Sequence, residues 1–240
     1  MNQTSFFPVQ IAHQEPYGGN TNDLKVVGYT KDRIKYAVKR ESDASALPIA
    51  EWIGHHLCQL AGVATPEFAV VECVGGEIAF GSRWEESALQ ISDAMPTQDR
   101  LLHVSQHSTA ISRVHAVDRV YANPDRHAGN FLFVIRAGLD LCLAFDFSLA
   151  GPRNHDAFGR TPLPPSSNTL QLMGIVRDHL GTFNDARYQE VLNNLEAITR
   201  EQFVSVLDGA PDGWYDSIAK ADFLHWWDNH RLTRFTEART

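Results

Sequence analysis

The sequence has few cysteines and no long apolar run. Its three cysteines, Cys58, Cys73 and Cys142, lie far apart and lack the CxxC or Cys/His spacing of a metal site. We therefore expect buried free thiols in a reducing compartment, and hence a cytoplasmic protein. No stretch is long enough to span a bilayer, and residues 1–7 lack the basic and apolar regions of a signal peptide.

Basic residues are also scarce. The chain has 21 Lys and Arg against 29 Asp and Glu, which gives a formal net charge of −8 at pH 7. Nucleic acids and anionic membranes attract positively charged surfaces. We therefore expect neither direct nucleic-acid binding nor membrane association.

Three widespread catalytic or nucleotide-binding motifs are missing. The absence of GxxxxGK[ST] excludes a P-loop NTPase, and the absence of GxGxxG after a strand disfavours a Rossmann dinucleotide site. No GxSxG is present, which disfavours an α/β-hydrolase.

The first third of the chain predicts a β-rich unit with one helix. Pro48 suits the first turn of that helix, and Gly62 can end it. Alternating apolar residues and turn signals, including Gly75-Gly76, predict two hairpins with strands at 24–30, 34–39, 67–74 and 77–84.

The rest of the chain predicts a mainly helical unit. A long helix is expected at 100–122, where Pro124 prevents its continuation. A hairpin of Phe131–Ile135 and Leu141–Phe145 follows, then an irregular segment over 151–168. Further helices are expected at about 168–180, 185–197, 200–208 and 215–236. The predicted class is α+β, with an N-terminal lobe at 1–84 and a C-terminal lobe at 85–240.

Two acids and an amide flank the predicted hairpin. Asn130 follows Asp125 by five residues, and Asp146 follows the second strand. Antiparallel pairing brings the start of the first strand and the end of the second together. Transfer of phosphate from a Mg²⁺-bound nucleotide needs a group that orients the attacking hydroxyl and oxygen ligands for the metal. We predict that Asp125 orients the hydroxyl and that Asn130 and Asp146 bind Mg²⁺.

A cation and a second acid precede this set. Lys39 ends a predicted strand, from which its ammonium can reach nucleotide phosphates. Glu51 lies on the following helix, away from the apolar stripe, where it can hold Lys39. Gly54, on the same face as Glu51, leaves room for another element. Considered by itself, Lys39 would be interpreted as a solvated lysine, and an exposed glutamate is an equally good interpretation of Glu51. Their order with the other residues favours a phosphate-binding site.

A glycine turn and the catalytic loop supply further candidates. In Gly18-Gly19-Asn20-Thr21, backbone N–H groups and the Thr21 hydroxyl could cradle phosphate, although an ordinary hairpin turn is a strong alternative. Arg126 and His127 could steady the loop or contact phosphate. His103 and His107 lie four apart on a predicted helix, but without a third ligand they are expected to be solvated or packed rather than metal-bound.

The chain resembles the HipA-like kinases, a bacterial branch of the protein-kinase-like superfamily. Asp125-Arg126-His127-x-x-Asn130 is also similar to the catalytic loop of phosphoinositide kinases. The matching segments are Gly18-Gly19, Tyr36–Lys39, Leu60–Pro66, Phe80–Trp84, Asn123–Asn130, Asp146 and Ala210–Trp214.

The resemblance implies a bilobal kinase that uses ATP and Mg²⁺ and phosphorylates a serine or threonine hydroxyl of a protein substrate. It places the nucleotide between the lobes, with adenine near a hinge after Trp84. Ser148 stands where many protein kinases have glycine, which leaves the behaviour of the activation loop open.

Three points stay open. The chain has 240 residues and is shorter than full-length HipA toxins. An antitoxin-like or other regulatory protein partner is therefore compatible with the resemblance but is not implied by it. A catalytically silent kinase-fold module that binds nucleotide or a partner protein, and an AMP transferase on the same fold, are the two alternatives to a kinase.

Overall fold

The computed structural model describes residues 7–19, 23–92, 94–153, 162–215 and 220–240. Asn20 and Thr21 of the predicted phosphate turn lie outside the described residues, as do residues 216–219 within the last predicted helix.

The N-terminal lobe contains a six-stranded sheet within the described residues. Its order is β1-β5-β6-β4-β3-β2, and every neighbouring pair is antiparallel except β1 and β5. The strands are β1 Val9–Gln10, β2 His13–Pro16, β3 Val26–Tyr29, β4 Lys35–Lys39, β5 Phe68–Glu72 and β6 Ile78–Arg83. Both predicted hairpins, β3–β4 and β5–β6, are confirmed.

The alternation of side chains along β4 assigns its two faces. Tyr36 and Val38 belong to a small apolar core with Val71 of β5. Lys35, Ala37 and Lys39 therefore lie on the opposite face, because successive residues of a strand point to opposite sides. The face that carries Lys39 is the one turned toward the rest of the molecule.

Helix α1, Leu47–Ala61, lies between the sheet and the C-terminal helices. It has Pro48 in its first turn, and Gly62 follows it with φ 75°, donating its N–H to the Cys58 carbonyl. Both predicted helix ends are thus close to the observed ones. Nearly all of α1 is buried, including the polar residues Glu51 and His55.

The C-terminal lobe combines a small sheet with helices. Its sheet has the order β7-β8-β9, with β7 Leu89–Gln90, β8 Phe131–Arg136 and β9 Leu139–Ala144, so the predicted hairpin is confirmed. The α-helices are α2 Thr97–Gln106, α3 Ser108–Val120, α4 Asn168–Gly174, α5 Asp185–Glu196, α6 Arg200–Asp208, α7 Lys220–Asn229 and α8 Arg231–Arg239. A π-helical turn, Ile175–His179, continues α4.

Two predicted helices are wrong as continuous elements. The helix predicted at 100–122 is broken at His107, which ends α2 and precedes α3. The His107 ring packs on Phe133 at 4.4 Å between ring centroids, and His103 stacks on the same ring at 6.0 Å. The pair is therefore packed, as expected. Similarly, the last predicted helix contains a break at His230, between α7 and α8.

One apolar core runs through both lobes. It joins Ile49 of α1 and Phe80 of β6 to Val117 of α3 and Phe203 of α6. The aromatic residues of the last helices, including Trp227, belong to this core and therefore have a packing role. The three cysteines are free and buried, also as expected.

The lobes form the bilobal α+β arrangement that the sequence predicted. A lobe boundary after residue 84 remains a prediction, because the apolar core is continuous across it. Among the described residues, no helix has the length and apolar character needed to cross a membrane.

His115 gives the fold a pH-dependent stability. It is fully buried on α3, and neither of its ring nitrogens has a hydrogen-bond partner within the described part of the chain. Burial lowers the pKa of His115 to about 3, and burial lowers those of His55 to about 3 and His56 to about 4.

We expect acidification below about pH 6.5 to destabilise the protein. The unfolded chain then binds protons that the folded histidines do not, which costs about 1.4 kcal/mol per pH unit for each histidine. His115→Leu should flatten the dependence of the unfolding free energy on pH between pH 6 and 5 by about that slope. Urea denaturation at several pH values measures it; an unchanged slope would contradict the buried neutral state of His115.

Candidate active site

Lys39 joins two acidic residues from distant parts of the chain. Its Nζ donates to Glu51 Oε1 at 2.5 Å and to Asp146 Oδ1 at 2.7 Å. Lys39 and Glu51 are almost fully buried, whereas the Asp146 side chain is 30% exposed. The structure therefore brings together the lysine, the helix glutamate and the second acid singled out in the sequence.

Burial and the neighbouring charges shift the pKa values of the three groups in different directions. Burial by itself disfavours the Lys39 ammonium, but Asp146 and Glu51 outweigh it and raise the pKa of Lys39. Burial likewise opposes ionisation of Asp146, yet Lys39 lowers the pKa of Asp146 well below its usual range. For Glu51, burial prevails over Lys39 and raises its pKa. Asp146, with a lowered pKa and a partly exposed side chain, is thus the carboxylate that a cation can reach.

Glu51 also fixes the backbone next to Asp146. Its Oε1 accepts the Phe147 N–H at 3.0 Å. Phe147 is fully buried against α1, where a Cβ built on Gly54 would lie 2.4 Å from Phe147 Cγ. Gly54 therefore leaves room for Phe147, the residue after Asp146.

We expect Gly54→Ala to displace Phe147. A contact of 2.4 Å to a buried ring cannot be accommodated without movement of the ring or the helix, and such overpacking costs about 1–3 kcal/mol. The free energy of unfolding from chemical denaturation should fall by that amount. Gly213→Ala is the matched control, since nothing lies within 4 Å of the added Cβ; equal effects of the two substitutions would contradict close packing at Gly54.

The backbone of Asp146 is left-handed, with φ 63°. Asp and Asn tolerate this conformation better than most residues, because a short polar side chain can bond locally. The turn follows directly after β9 and redirects the chain, so that Asp146 contacts Lys39 while Phe147 enters the core.

Arg126 anchors the loop between α3 and β8. Its guanidinium binds Asp118 through Nε at 2.8 Å and Nη2 at 3.0 Å. Nη1 donates to the Asn130 carbonyl at 2.9 Å and also to the Phe145 carbonyl. The side chain is fully buried. Of its two predicted roles, steadying the loop fits this geometry; contact with phosphate does not, because the guanidinium faces the interior.

The Arg126 bonds also align Asn130 with Asp146. Phe131 is paired with Ala144 across the β8–β9 hairpin. One guanidinium nitrogen bonds the residues just outside that pair, Asn130 and Phe145. Asn130 is therefore held beside the residue that precedes Asp146, as the predicted hairpin requires.

Asp125 and Asn130 are linked within the loop. Asn130 Nδ2 donates to the Asp125 carbonyl at 2.9 Å, so the amide uses its nitrogen for the loop and keeps its oxygen as a ligand atom. The Asp125 carboxylate accepts a hydrogen bond from Asn168 Nδ2 at 2.5 Å. His127 is exposed, and its Nδ1 accepts the Gly129 N–H at 3.1 Å.

Ser148 makes a contact that no sequence pattern indicates. Ser148 Oγ donates to Asp23 Oδ2 at 2.7 Å, and Arg153 pairs with Asp23 at 3.3 Å. Asp23 lies in the β2–β3 connection that contains the glycine turn. The serine that replaces the usual glycine therefore ties this connection to the segment after Asp146.

The start of the glycine turn lies close to Trp84 at the predicted hinge. Among the described residues, Gly18 has no atom within 4 Å of an added Cβ, whereas one on Gly19 would collide with the Tyr17 ring. Tyr17 packs on Trp84 at 5.9 Å between ring centroids, and the Lys35 ammonium lies 4.0 Å from the Trp84 ring centre. Tyr17 thus connects the residue before the turn to Trp84.

Two apolar residues share the sheet face of Lys39 and were not singled out in the sequence. Val27 of β3 is the register partner of Ala37 of β4, so both lie on the sheet face that carries Lys39. The strand alternation of Tyr36–Lys39 was the signal that could have identified Ala37.

No family model and no curated protein matches the sequence. The fold, however, is similar to solved structures. One is the proinflammatory kinase CtkA of Helicobacter pylori, with a TM-score of 0.57 and 12% identity, covering 97% of this chain and 98% of that one.

A second similar structure is HipA of Shewanella oneidensis MR-1, in a toxin–antitoxin complex with HipB and operator DNA. The TM-score is 0.50 at 12% identity, and the match covers 97% of this chain but 64% of the HipA chain. The chain thus spans about two thirds of the length of that HipA.

These similarities define the fold of the chain. The chain has the protein-kinase-like fold, with a β-rich N-terminal lobe and a mainly helical C-terminal lobe, as the HipA-like resemblance implied. At 12% identity they establish the fold alone. The roles of individual site residues rest on the geometry given above.

Proposed function

We propose that this chain is an ATP- and Mg²⁺-dependent kinase that phosphorylates a serine or threonine hydroxyl of a protein. The observation that carries the proposal is the buried lysine bonded to both Glu51 and Asp146, at 2.5 and 2.7 Å. The likeness of the fold to that of the kinase CtkA supports phosphotransfer in general; the protein acceptor comes from the HipA-like resemblance.

The donor set fits a magnesium ion. Asp146 offers a partly exposed carboxylate held in anionic form, and Asn130 offers an amide oxygen. Oxygen ligands of this kind suit Mg²⁺, which also keeps several water ligands. The metal would link the nucleotide phosphates and neutralise the charge that develops on them.

The residues of the chain have separate tasks in the proposed reaction. The Lys39 ammonium would bind the nucleotide phosphates, and Glu51 would hold that ammonium in position. Asp125 accepts the proton of the attacking hydroxyl. The hydroxyl oxygen forms a bond to the γ-phosphorus, the bond from that phosphorus to the β,γ-bridging oxygen breaks, and ADP leaves.

The nucleotide would lie between the lobes. Adenine would lie near the hinge after Trp84, and Val27 and Ala37, on the sheet face of Lys39, are the apolar residues proposed to contact it. Gly18 and Gly19 would approach the phosphates through their N–H groups, together with Asn20 and Thr21. A contact of His127 with phosphate also stays part of the proposal, because its ring is exposed on the loop next to Asp125.

A regulatory protein partner and a cytoplasmic location complete the proposal. The similar HipA structure is in complex with HipB, which makes a protein partner of this kind a reasonable candidate. The three buried free cysteines fit a reducing compartment.

The test of the protein acceptor is incubation with γ-labelled ATP and Mg²⁺ in a heat-treated bacterial extract. Phosphate should appear on serine or threonine residues, identified by mass spectrometry, and should depend on Asp125. Label on small molecules but not on proteins would contradict a protein kinase while leaving phosphotransfer intact.

A further inference from the structure

Asn168 contacts the proposed proton acceptor from outside the catalytic loop. It is the first residue of α4, and its Nδ2 donates to Asp125 Oδ1 at 2.5 Å. The two residues are 43 positions apart in the sequence. The helical pattern at 168–180 predicted a helix start here and gave no sign of a link to Asp125.

The next residue, Thr169, clamps the backbone of the same loop. Its Oγ1 accepts the Arg126 N–H at 3.0 Å and donates to the Asn123 carbonyl at 2.5 Å. Its own N–H donates to the Pro124 carbonyl at 3.3 Å. Asn168 and Thr169 together therefore contact four consecutive residues, 123–126.

The loop is thus held from two sides. Arg126 anchors it to Asp118, to Asn130 and to Phe145 from the interior, and Thr169 holds its backbone from the side of α4. With the backbone fixed, the Asp125 side chain can still rotate about χ1 and about its terminal torsion χ2, which turns the carboxylate. That terminal torsion is broad and has no sharp minima of its own.

Asn168 does not serve as the cap of its helix. Ser167 does so, since its hydroxyl accepts the Leu170 N–H at 3.3 Å. The Asn168 amide is therefore available for the contact with Asp125. An amide is a neutral donor, so it orients the carboxylate without removing its charge.

We propose that Asn168 is a positioning residue, which holds Asp125 Oδ1 so that Oδ2 accepts the proton of the substrate hydroxyl. Among the described residues, Oδ2 has no hydrogen-bond partner. This role rests on the proposed kinase function. It makes the start of α4 part of the catalytic apparatus.

Substitution by Asp separates positioning from a structural role. Asp is nearly isosteric with Asn and is favourable in the first turn of a helix. It lacks the donor, however, and places a second carboxylate beside Asp125. A residue that only stabilises α4 would therefore tolerate Asn168→Asp, whereas a positioning residue would not.

The experiment compares steady-state phosphotransfer by wild type, Asn168→Ala, Asn168→Asp and Gln171→Ala. The last is the control: Gln171 lies on the same helix, its Nε2 donates to the Ser166 carbonyl before the helix, and among the described residues its side chain makes no hydrogen bond to the catalytic loop. We expect kcat to fall about 10- to 100-fold with Ala, given the sensitivity of rate to small misplacements, and further with Asp. The KM for ATP should stay unchanged in both.

An exchange of the two residues tests the contact without measuring activity. Asn168→Asp should lower the melting temperature by about 2–4 °C through repulsion of adjacent carboxylates. The double variant Asp125→Asn/Asn168→Asp again pairs an amide with a carboxylate and should recover that loss. Failure to recover it would contradict the contact.

The two proposals fail in different ways. Normal kcat in Asn168→Asp protein, with wild-type transfer that depends on Asp125, would overturn the positioning role and leave the kinase function standing. Equal transfer by wild type and Asp125→Ala protein would contradict the role of Asp125 in the proposed function itself.

Discussion

Asp146→Asn is expected to abolish Mg²⁺-dependent ATP binding and phosphotransfer together. The substitution keeps the shape of the side chain and its tolerance of the left-handed backbone, φ 63°. It removes the charge that Lys39 stabilises at 2.7 Å and that the metal would bind. Since one preorganised electrostatic contact is worth about 10²–10³ in rate, transfer should fall at least that far.

Asp125→Ala provides the contrast. Asp125 contacts Asn168 and lies outside the network of Lys39, so the nucleotide should bind with its normal affinity. Loss of the proton acceptor should reduce kcat by about 10²–10⁴. Calorimetry with Mg-ATP and transfer assays on both variants separate the two roles; normal Mg-ATP affinity in Asp146→Asn protein would contradict the assignment of Asp146 as a metal ligand.

Arg126→Leu is expected to destabilise the fold by about 3–5 kcal/mol, the usual cost of removing one partner of a buried ion pair. Asp118 would be left charged and buried, with its bonds from Arg126 lost. The carbonyls of Asn130 and Phe145 would also lose their donor. Because those carbonyls flank the proposed metal ligands, activity should fall as well.

The double variant Arg126→Leu/Asp118→Leu is the control for that interpretation. Removing both charges should recover part of the stability, since the largest penalty comes from an unpaired buried charge. Urea denaturation gives both free energies. A loss below about 1 kcal/mol in Arg126→Leu protein, typical of an exposed pair, would show that the anchor contributes little.

Residues that local patterns place on strands or helices could be predicted from the sequence. Alternation in Tyr36–Lys39 placed Lys39 on the strand face opposite Tyr36 and Val38. Helical spacing placed Glu51 away from the apolar stripe of α1. Their contact at 2.5 Å joins neighbouring elements of the chain, so the order of residues sufficed to suggest it. The hairpin between Asn130 and Asp146 was predictable for the same reason.

Contacts that depend on the path of the irregular segments could not be predicted. Asn168 forms a hydrogen bond with Asp125, 43 positions away in the sequence, and Ser148 forms one with Asp23, 125 positions away. Neither pair shares a periodic pattern, because each is set by how loops pack rather than by strand or helix geometry. The break at His107 was missed because apolar residues continue at helical spacing on both sides of it.

Asp125, Asn130 and Asp146 are proposed to transfer the γ-phosphate of Mg-ATP. Parallel incubation of wild type and Asp125→Ala protein with γ-labelled and α-labelled ATP and the same acceptor mixture tests this directly. We expect label on the acceptor from the γ position alone, and its loss in the variant. Label from the α position would show AMP transfer instead, and Mg-ATP binding without label from either position would favour a silent nucleotide-binding module.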